Sequence, residues 1–211
     1  MEVVERDYNH PCIVTWVPLN ESWGVPFISV DRRQQEFSQT LYHLLKSLDS
    51  TRLVVGNDGW EMTETDLCAI HNYDHGEKND EKAHAKFRES LSCREELLYT
   101  YTAGRKIFVD GWKDRGQPVL LTEFGGISFA EQDDKAWGYT CIRDGDELEK
   151  EYERILDAIC ASDSIAGFCY TQLADVEQET NGLLTCDRVP KIRTEIIRKI
   201  NDRVNKKRIR I

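Results

Sequence analysis

Short apolar runs and longer amphipathic stretches alternate along the chain. Cys12-Ile13-Val14-Thr15-Trp16-Val17 is an apolar run closed by Pro18, the pattern of a buried strand. Between Asp31 and Leu48 the apolar residues fall at Phe37, Leu41, Leu44, Leu45 and Leu48, one face of a helix with Asp31 as its N-cap. Arg52-Leu53-Val54-Val55 predicts a second strand, closed by the turn residues Gly56-Asn57-Asp58-Gly59. Leu67-Cys68-Ala69-Ile70 predicts a third, with room for a short helix before it. Residues 77–104 are charged and predict helix in part, around Lys82 to Leu98. Pro118-Val119-Leu120-Leu121-Thr122 predicts a fourth strand, opened by a proline where strands tolerate one. Leu148, Tyr152, Ile155, Leu156 and Ile159 mark a helix over 145–161, and Ile165 to Tyr170 a fifth strand. Pro190 opens a last amphipathic helix with Ile192, Ile196, Ile197, Ile200 and Val204 on one side.

The order β-α-β-β-α-β-α-β-α predicts an α/β fold on a parallel sheet with right-handed crossovers. Strands apolar along their whole length are those a parallel sheet buries on both faces. No repeat or linker divides residues 1–204, which read as one domain, and residues 205–211 read as a basic tail. The 211 residues suffice for a core, and 40% hydrophobic with 9% aromatic content is that of a globular chain. Twenty-eight Lys and Arg against 38 Asp and Glu leave a formal charge of −10, which argues against nucleic acid as a partner. No apolar run reaches the ~18 residues of a membrane span. No apolar stretch of signal-peptide type follows Met1-Glu2-Val3-Val4. Seven cysteines without a CxxC pair predict reduced thiols and a cytoplasmic location.

Polar and aromatic groups gather where the strands end. The first runs into Asn20-Glu21-Ser22-Trp23-Gly24, the second into Asn57-Asp58-Gly59-Trp60 and the third into His71-Asn72-Tyr73. The fourth runs into Glu123-Phe124-Gly125-Gly126 and the fifth into Tyr170-Thr171-Gln172. In parallel α/β folds the site collects at that end. Glu21 and Glu123 each follow an apolar strand, and two facing carboxylates, one protonated and one ionised, are what glycoside hydrolysis needs. Burial and the like charge of a neighbour hold one proton on such a pair. Trp23, Trp60, Tyr73, Trp137 and Tyr170 offer flat faces to sugar rings, and Asn20 and His71 suit hydroxyls. Cys68, His71 and His75 have the spacing of ligands on a helix but lie on a strand, so neither metal nor other cofactor is expected. Asp175, Glu177 and Glu179 read as a loop, and Gly125-Gly126 as a turn without the Gly-Lys-Ser/Thr of a phosphate loop.

Asn9 to Gly24, ending Pro18-Leu19-Asn20-Glu21-Ser22-Trp23-Gly24, closely resembles the acid/base signature of glycoside hydrolase family 2. Leu121-Thr122-Glu123-Phe124-Gly125-Gly126 resembles the nucleophile strand of that family, and Gly59-Trp60 with Ile70-His71-Asn72-Tyr73 the segment before it. Tyr170 to Leu183 resembles its last barrel strand and following loop. The resemblance implies a retaining β-glycosidase, most closely of β-galactosidase type, acting on a carbohydrate substrate. It makes Glu21 the general acid/base, Glu123 the nucleophile and Asn20 the partner of the sugar 2-hydroxyl. Tyr73 would hydrogen-bond the nucleophile, while His71, Trp60 and Tyr170 shape the subsite. Carboxyl groups about 5–5.5 Å apart are implied by retention.

The matched segments correspond to strands four to eight of a (β/α)8 TIM barrel, with no counterpart of strands one to three. A whole barrel takes about 250 residues. A partial barrel leaves a parallel edge open, which implies self-association or a missing N-terminal segment. The alternative function is a non-catalytic remnant, sugar-binding or an assembly partner. A glucuronidase requires cationic or amide groups for the uronate carboxylate, and the sequence identifies none.

Overall fold

Asp31 caps the first long helix, accepting a hydrogen bond from the Arg33 amide, as the sequence predicts. The computed structural model describes residues 1–129 and 138–208; Trp137 and residues 209–211 of the basic tail lie outside the described residues. Two compact units divide the chain, residues 1–71 with 98–122 and residues 72–97 with those from 123 onwards.

The first unit opens with α1 (Glu2–Asp7), β1 (Thr15–Trp16), α2 (Arg32–Leu48) and β2 (Leu53–Val54). β1 and β2 pair in parallel, Thr15 with Leu53 and Trp16 with Val54, and the pairing resumes at Asn20 with Asp58. β3 (Cys68–His71) follows through the parallel bridge of Gly59 with Ile70, and β4 (Val119–Glu123) lies next to β3. β1 is shorter than the apolar run over 12–17, because the carbonyls of Tyr8, His10 and Ile13 accept from the Arg52 guanidinium at 2.7, 3.1 and 2.8 Å. No helix stands between β2 and β3; there Met62 bridges Phe108 in parallel.

α2 turns inward most of the face its leucines predict, Leu41, Leu45 and Leu48 packing on core clusters of the unit. Ser38 and Tyr42 are buried, while Phe37 and Leu44 are exposed. The Tyr42 hydroxyl donates to Asp66 at 2.6 Å and Ser38 lies 3.0 Å from the Thr63 hydroxyl. Two satisfied polar contacts bury these residues beside that face, where Leu45 and Leu48 pack on Val4, Trp16, Tyr42 and Val54.

In the second unit α3 (Glu81–Ser90) and the start of α4 (Arg94–Tyr99) replace the single helix expected around 82–98. α5 (Gly145–Ala161) has the predicted span and face: Leu148, Tyr152, Ile155, Leu156 and Ile159 are all buried. It packs on α6 (Thr194–Arg208), where the Tyr152 hydroxyl donates to Asn201 at 2.8 Å. α6 starts later than Pro190, because Pro190 bridges Leu184 and the Lys191 amide donates to the Leu183 carbonyl. It runs to Arg208. β5 (Ile127–Phe129) and β6 (Thr140–Ile142), a parallel pair, have no counterpart in the hydrophobic pattern. β7 (Ile165–Phe168) leads to Thr171, which bridges Gly125 in parallel. No disulfide joins any of the seven cysteines, all of which lie among the described residues. No helix of the described residues is long and apolar enough to cross a membrane.

Candidate active site

In the first unit the chain leaves β1 and makes a tight turn at Asn20-Glu21-Ser22. The Glu21 amide donates to the Asp58 carbonyl at 2.9 Å, and the Asp58 amide to the Leu19 carbonyl. Glu21 and Ser22 both take left-handed backbone conformations, φ +50° and +60°. The turn brings Glu21 Oε1 within 2.8 Å of Nδ1 of His71, a ring fully buried at the end of β3. Nε2 of the same ring lies 3.2 Å from Oδ1 of Asp58. Asp58 accepts in turn from the Thr122 hydroxyl at 2.5 Å. The imidazole therefore stands between two carboxylates and is hydrogen-bonded to Glu21 through Nδ1.

Trp60 and Gly59 enclose the ring. The Trp60 indole meets it edge-on, with centroids 5.7 Å apart, and its Nε1 is a buried donor without a partner among the described residues. Gly59, at φ +101°, has room for no side chain, since a Cβ there would stand 2.9 Å from His71 Nδ1. Asn20 is exposed beside Glu21, and Trp23 is 76% exposed.

In the second unit Tyr73 donates its hydroxyl hydrogen to Glu123 Oε2 at 2.7 Å. The Asn72 amide donates to the Glu123 carbonyl at 3.0 Å, which fixes the backbone that carries both. Burial raises the Tyr73 phenol well above its ordinary pKa, so it remains a donor. Its ring stacks on Tyr139, with centroids 4.0 Å apart and 13° between the planes. Tyr170 is half-buried; its hydroxyl donates to the Asn181 carbonyl at 3.1 Å, and its ring edges meet Phe124 and Tyr152. Gly125, at φ +98°, lies directly against that ring.

The two other sequence candidates for metal ligation are engaged elsewhere. Cys68 is a buried strand residue, and the two nitrogens of His75 face the carbonyls of Gly76 at 3.0 Å and Gly125 at 2.7 Å. Burial lowers the pKa of His75, opposing those carbonyls.

Asp58, Thr122 and Tyr139 complete the surroundings of His71 and Tyr73 without having been singled out from sequence. Asp58 sits in Gly-Asn-Asp-Gly, whose composition signals a turn and hides a carboxylate aimed at a histidine. Nothing in the sequence marks Tyr139 as the stacking partner of Tyr73.

Comparison with known protein families matches residues 1–206 to the glycosyl hydrolases family 2 TIM barrel domain. Among solved structures, the chain is similar to a β-glucuronidase of Faecalibacterium prausnitzii at 20% identity and a TM-score of 0.62, covering 97% of this chain and 33% of that one. It is similar to Bifidobacterium dentium β-glucuronidase complexed with coumarin-3-O-glucuronide at 23% identity and a TM-score of 0.60, covering 96% and 32%. A third, a β-galacturonidase from Eisenbergiella tayi bound to galacturonate, gives 18% identity and a TM-score of 0.61, covering 97% and 35%. At these identities the likeness shows the fold. The chain spans about a third of the length of the solved structures it matches. No curated protein matches it.

Proposed function

The chain belongs to glycosyl hydrolases family 2, in its TIM barrel domain, and we propose that it carries the two catalytic carboxylates of a retaining β-glycosidase. In this reading β1, β2, β3, β4 and β7 correspond to barrel strands four to eight. Glu123 attacks the anomeric carbon while Glu21 gives its proton to the departing glycosidic oxygen. A covalent glycosyl-enzyme forms on Glu123. Water then enters, Glu21 takes its proton, and the ester is cleaved with retention of configuration.

The observation that carries this reading is the Tyr73–Glu123 hydrogen bond. A phenol kept protonated by burial and held 2.7 Å from a carboxylate favours the ionised, oriented nucleophile. His71 plays the corresponding part at Glu21, holding the carboxyl group through Nδ1. Asn20, next to Glu21, meets the sugar 2-hydroxyl. The indole N–H of Trp60, unpartnered among the described residues, is a donor for a sugar oxygen. Tyr170, its hydroxyl given to Asn181, contributes the face of its ring.

For the sugar the reading is a neutral β-galactoside, with a β-uronide as its competitor. The test is hydrolysis of aryl β-galactoside, glucoside, mannoside, glucuronide and galacturonide by the full chain, with Glu123→Gln beside it. Turnover of the galactoside in the parent and its loss in the variant, at equal melting temperature, is expected. A slow 2-deoxy-2-fluoro glycoside should leave its sugar on Glu123. Undiminished activity in the variant overturns the nucleophile assignment. Silence across the panel favours a sugar-binding or assembly role, and turnover confined to the uronides replaces the galactoside.

A further inference from the structure

The turn that presents Glu21 is gripped from behind. Left-handed backbone at two successive non-glycine residues is unfavourable and persists only where the surroundings impose it. Here they do so through Ser22, which is 4% exposed. Its amide donates to Asn57 Oδ1 at 3.1 Å, and its hydroxyl donates to Glu61 Oε2 at 2.6 Å. Asn57 Nδ2 donates back to Ser22 Oγ at 3.1 Å and to the Trp60 carbonyl at 2.8 Å. Glu61 is itself buried, and Nη1 of Arg105 reaches its two oxygens at 3.1 and 3.2 Å.

A buried carboxylate is costly unless paired and hydrogen-bonded. Glu61 meets both conditions, and what it holds is the residue next to Glu21 rather than Glu21's own carboxylate. We propose that Glu61, with Arg105 as its counter-ion, is a positioning residue for Glu21: acting through Ser22, it fixes the turn in the conformation that sets the Glu21 carboxylate on His71. The inference rests on the acid/base reading of Glu21 and deepens it.

The consequence for catalysis is selective. A misaimed acid slows departure of poor leaving groups, which must be protonated, and spares good ones, which depart as stable anions. The experiment compares kcat and KM of the full chain for 2,4-dinitrophenyl and methyl glycosides of the sugar it accepts. Parent, Glu61→Gln, Ser22→Ala and Glu21→Ala are measured side by side. In Glu61→Gln and Ser22→Ala, kcat/KM for the methyl glycoside should fall roughly 10- to 100-fold further than kcat/KM for the dinitrophenyl glycoside. Equal losses of kcat/KM on both substrates, or no loss, overturn the proposal.

A second readout is independent of turnover. The imidazole ¹⁵N resonances of His71 report its contact with Glu21. In Glu61→Gln and Ser22→Ala they should move toward their positions in Glu21→Ala. Unmoved resonances overturn the positioning role. If the parent chain hydrolyses nothing, the functional reading falls, while the His71 resonances still decide whether Glu61 sets the turn.

Discussion

Tyr73 and Glu123 are joined by a hydroxyl-to-carboxylate hydrogen bond of 2.7 Å, and Asn72, just before Tyr73, ties its amide to the Glu123 carbonyl. Side chain and backbone are thus fixed by neighbouring residues of one short segment. Tyr73→Phe keeps the ring and its stack on Tyr139 and removes only the donor. A hydrogen bond to a charged group contributes ~1.5–3 kcal/mol. Its loss should lower kcat about 10- to 100-fold in glycoside hydrolysis, with a fall of several degrees in melting temperature.

Gly59→Ala tests the enclosure of His71. The added methyl would stand 2.9 Å from Nδ1 and 3.0 Å from Cγ of the ring, at φ +101°. Backbone strain of that kind costs about 1–3 kcal/mol. The variant should melt lower and lose more glycosidase activity than its melting shift explains, because the displaced ring is the one that holds Glu21. Full activity at the temperature where the variant is folded would rule this out.

Gly125 and Gly116 form a controlled pair. Both have positive φ, but a Cβ at Gly125 runs into the Tyr170 ring, whereas nothing lies within 4 Å at Gly116. Gly125→Ala should therefore destabilise markedly more than Gly116→Ala in urea unfolding. Equal costs would place the whole effect in the backbone.

Stability should fall in acid with a definite sign. Asp49 accepts from the Thr51 hydroxyl at 2.6 Å, from Arg52 at 2.7 Å and from the Trp16 indole at 2.9 Å. These bonds, with Thr51 foremost, hold its carboxyl well below the usual 3.8. Glu147 is held at about 2, chiefly by Arg143 and then Lys78. A carboxyl whose pKa is depressed on folding gives stability that is complete above its unfolded value and is lost as the pH falls below it. Unfolding free energy should thus decline as the pH drops below about 4. Asp49→Asn should flatten that decline, a comparison that urea titrations at several pH values make directly.

The α5 face offers a packing test. Ile155 is wholly buried between neighbours on that helix and the core of its unit. Ile155→Ala should cost about 2–5 kcal/mol in urea unfolding.

The same helix shows what sequence makes legible. Its apolar residues recur at helical spacing, Asp144 caps it, and its one buried carboxylate, Glu151, pairs with Arg154 on the same helix, so span and face could both be read. α2 has the same kind of pattern and packs Leu41, Leu45 and Leu48, yet Ser38 and Tyr42 find hydrogen-bond partners far along the chain and are buried while Phe37 and Leu44 are exposed. β5 and β6 are short and lack an apolar run, so their pairing arises from tertiary contact. At the candidate site, Glu21, His71, Tyr73 and Glu123 stand out in the sequence because each lies in a motif segment just past a strand. Asp58, Glu61 and Arg105 were not: their roles depend on which residue each faces across the fold, and a turn aspartate, a lone glutamate and a loop arginine carry no local sign of it.

Arg52 joins parts of the first unit that share no secondary structure. One guanidinium caps the carbonyls of Tyr8, His10 and Ile13, pairs with Asp49, and lies over the rings of Tyr8 and Trp16. A lysine there could match the charge but not the fan of directions. The opening dozen residues are in this way stitched to the end of α2 and the start of β2 by a single side chain. Trimming them would take two carbonyl acceptors and the Tyr8 ring from that cation, so a shortened version should suffer at the β1–β2 pair rather than merely lose a terminal helix.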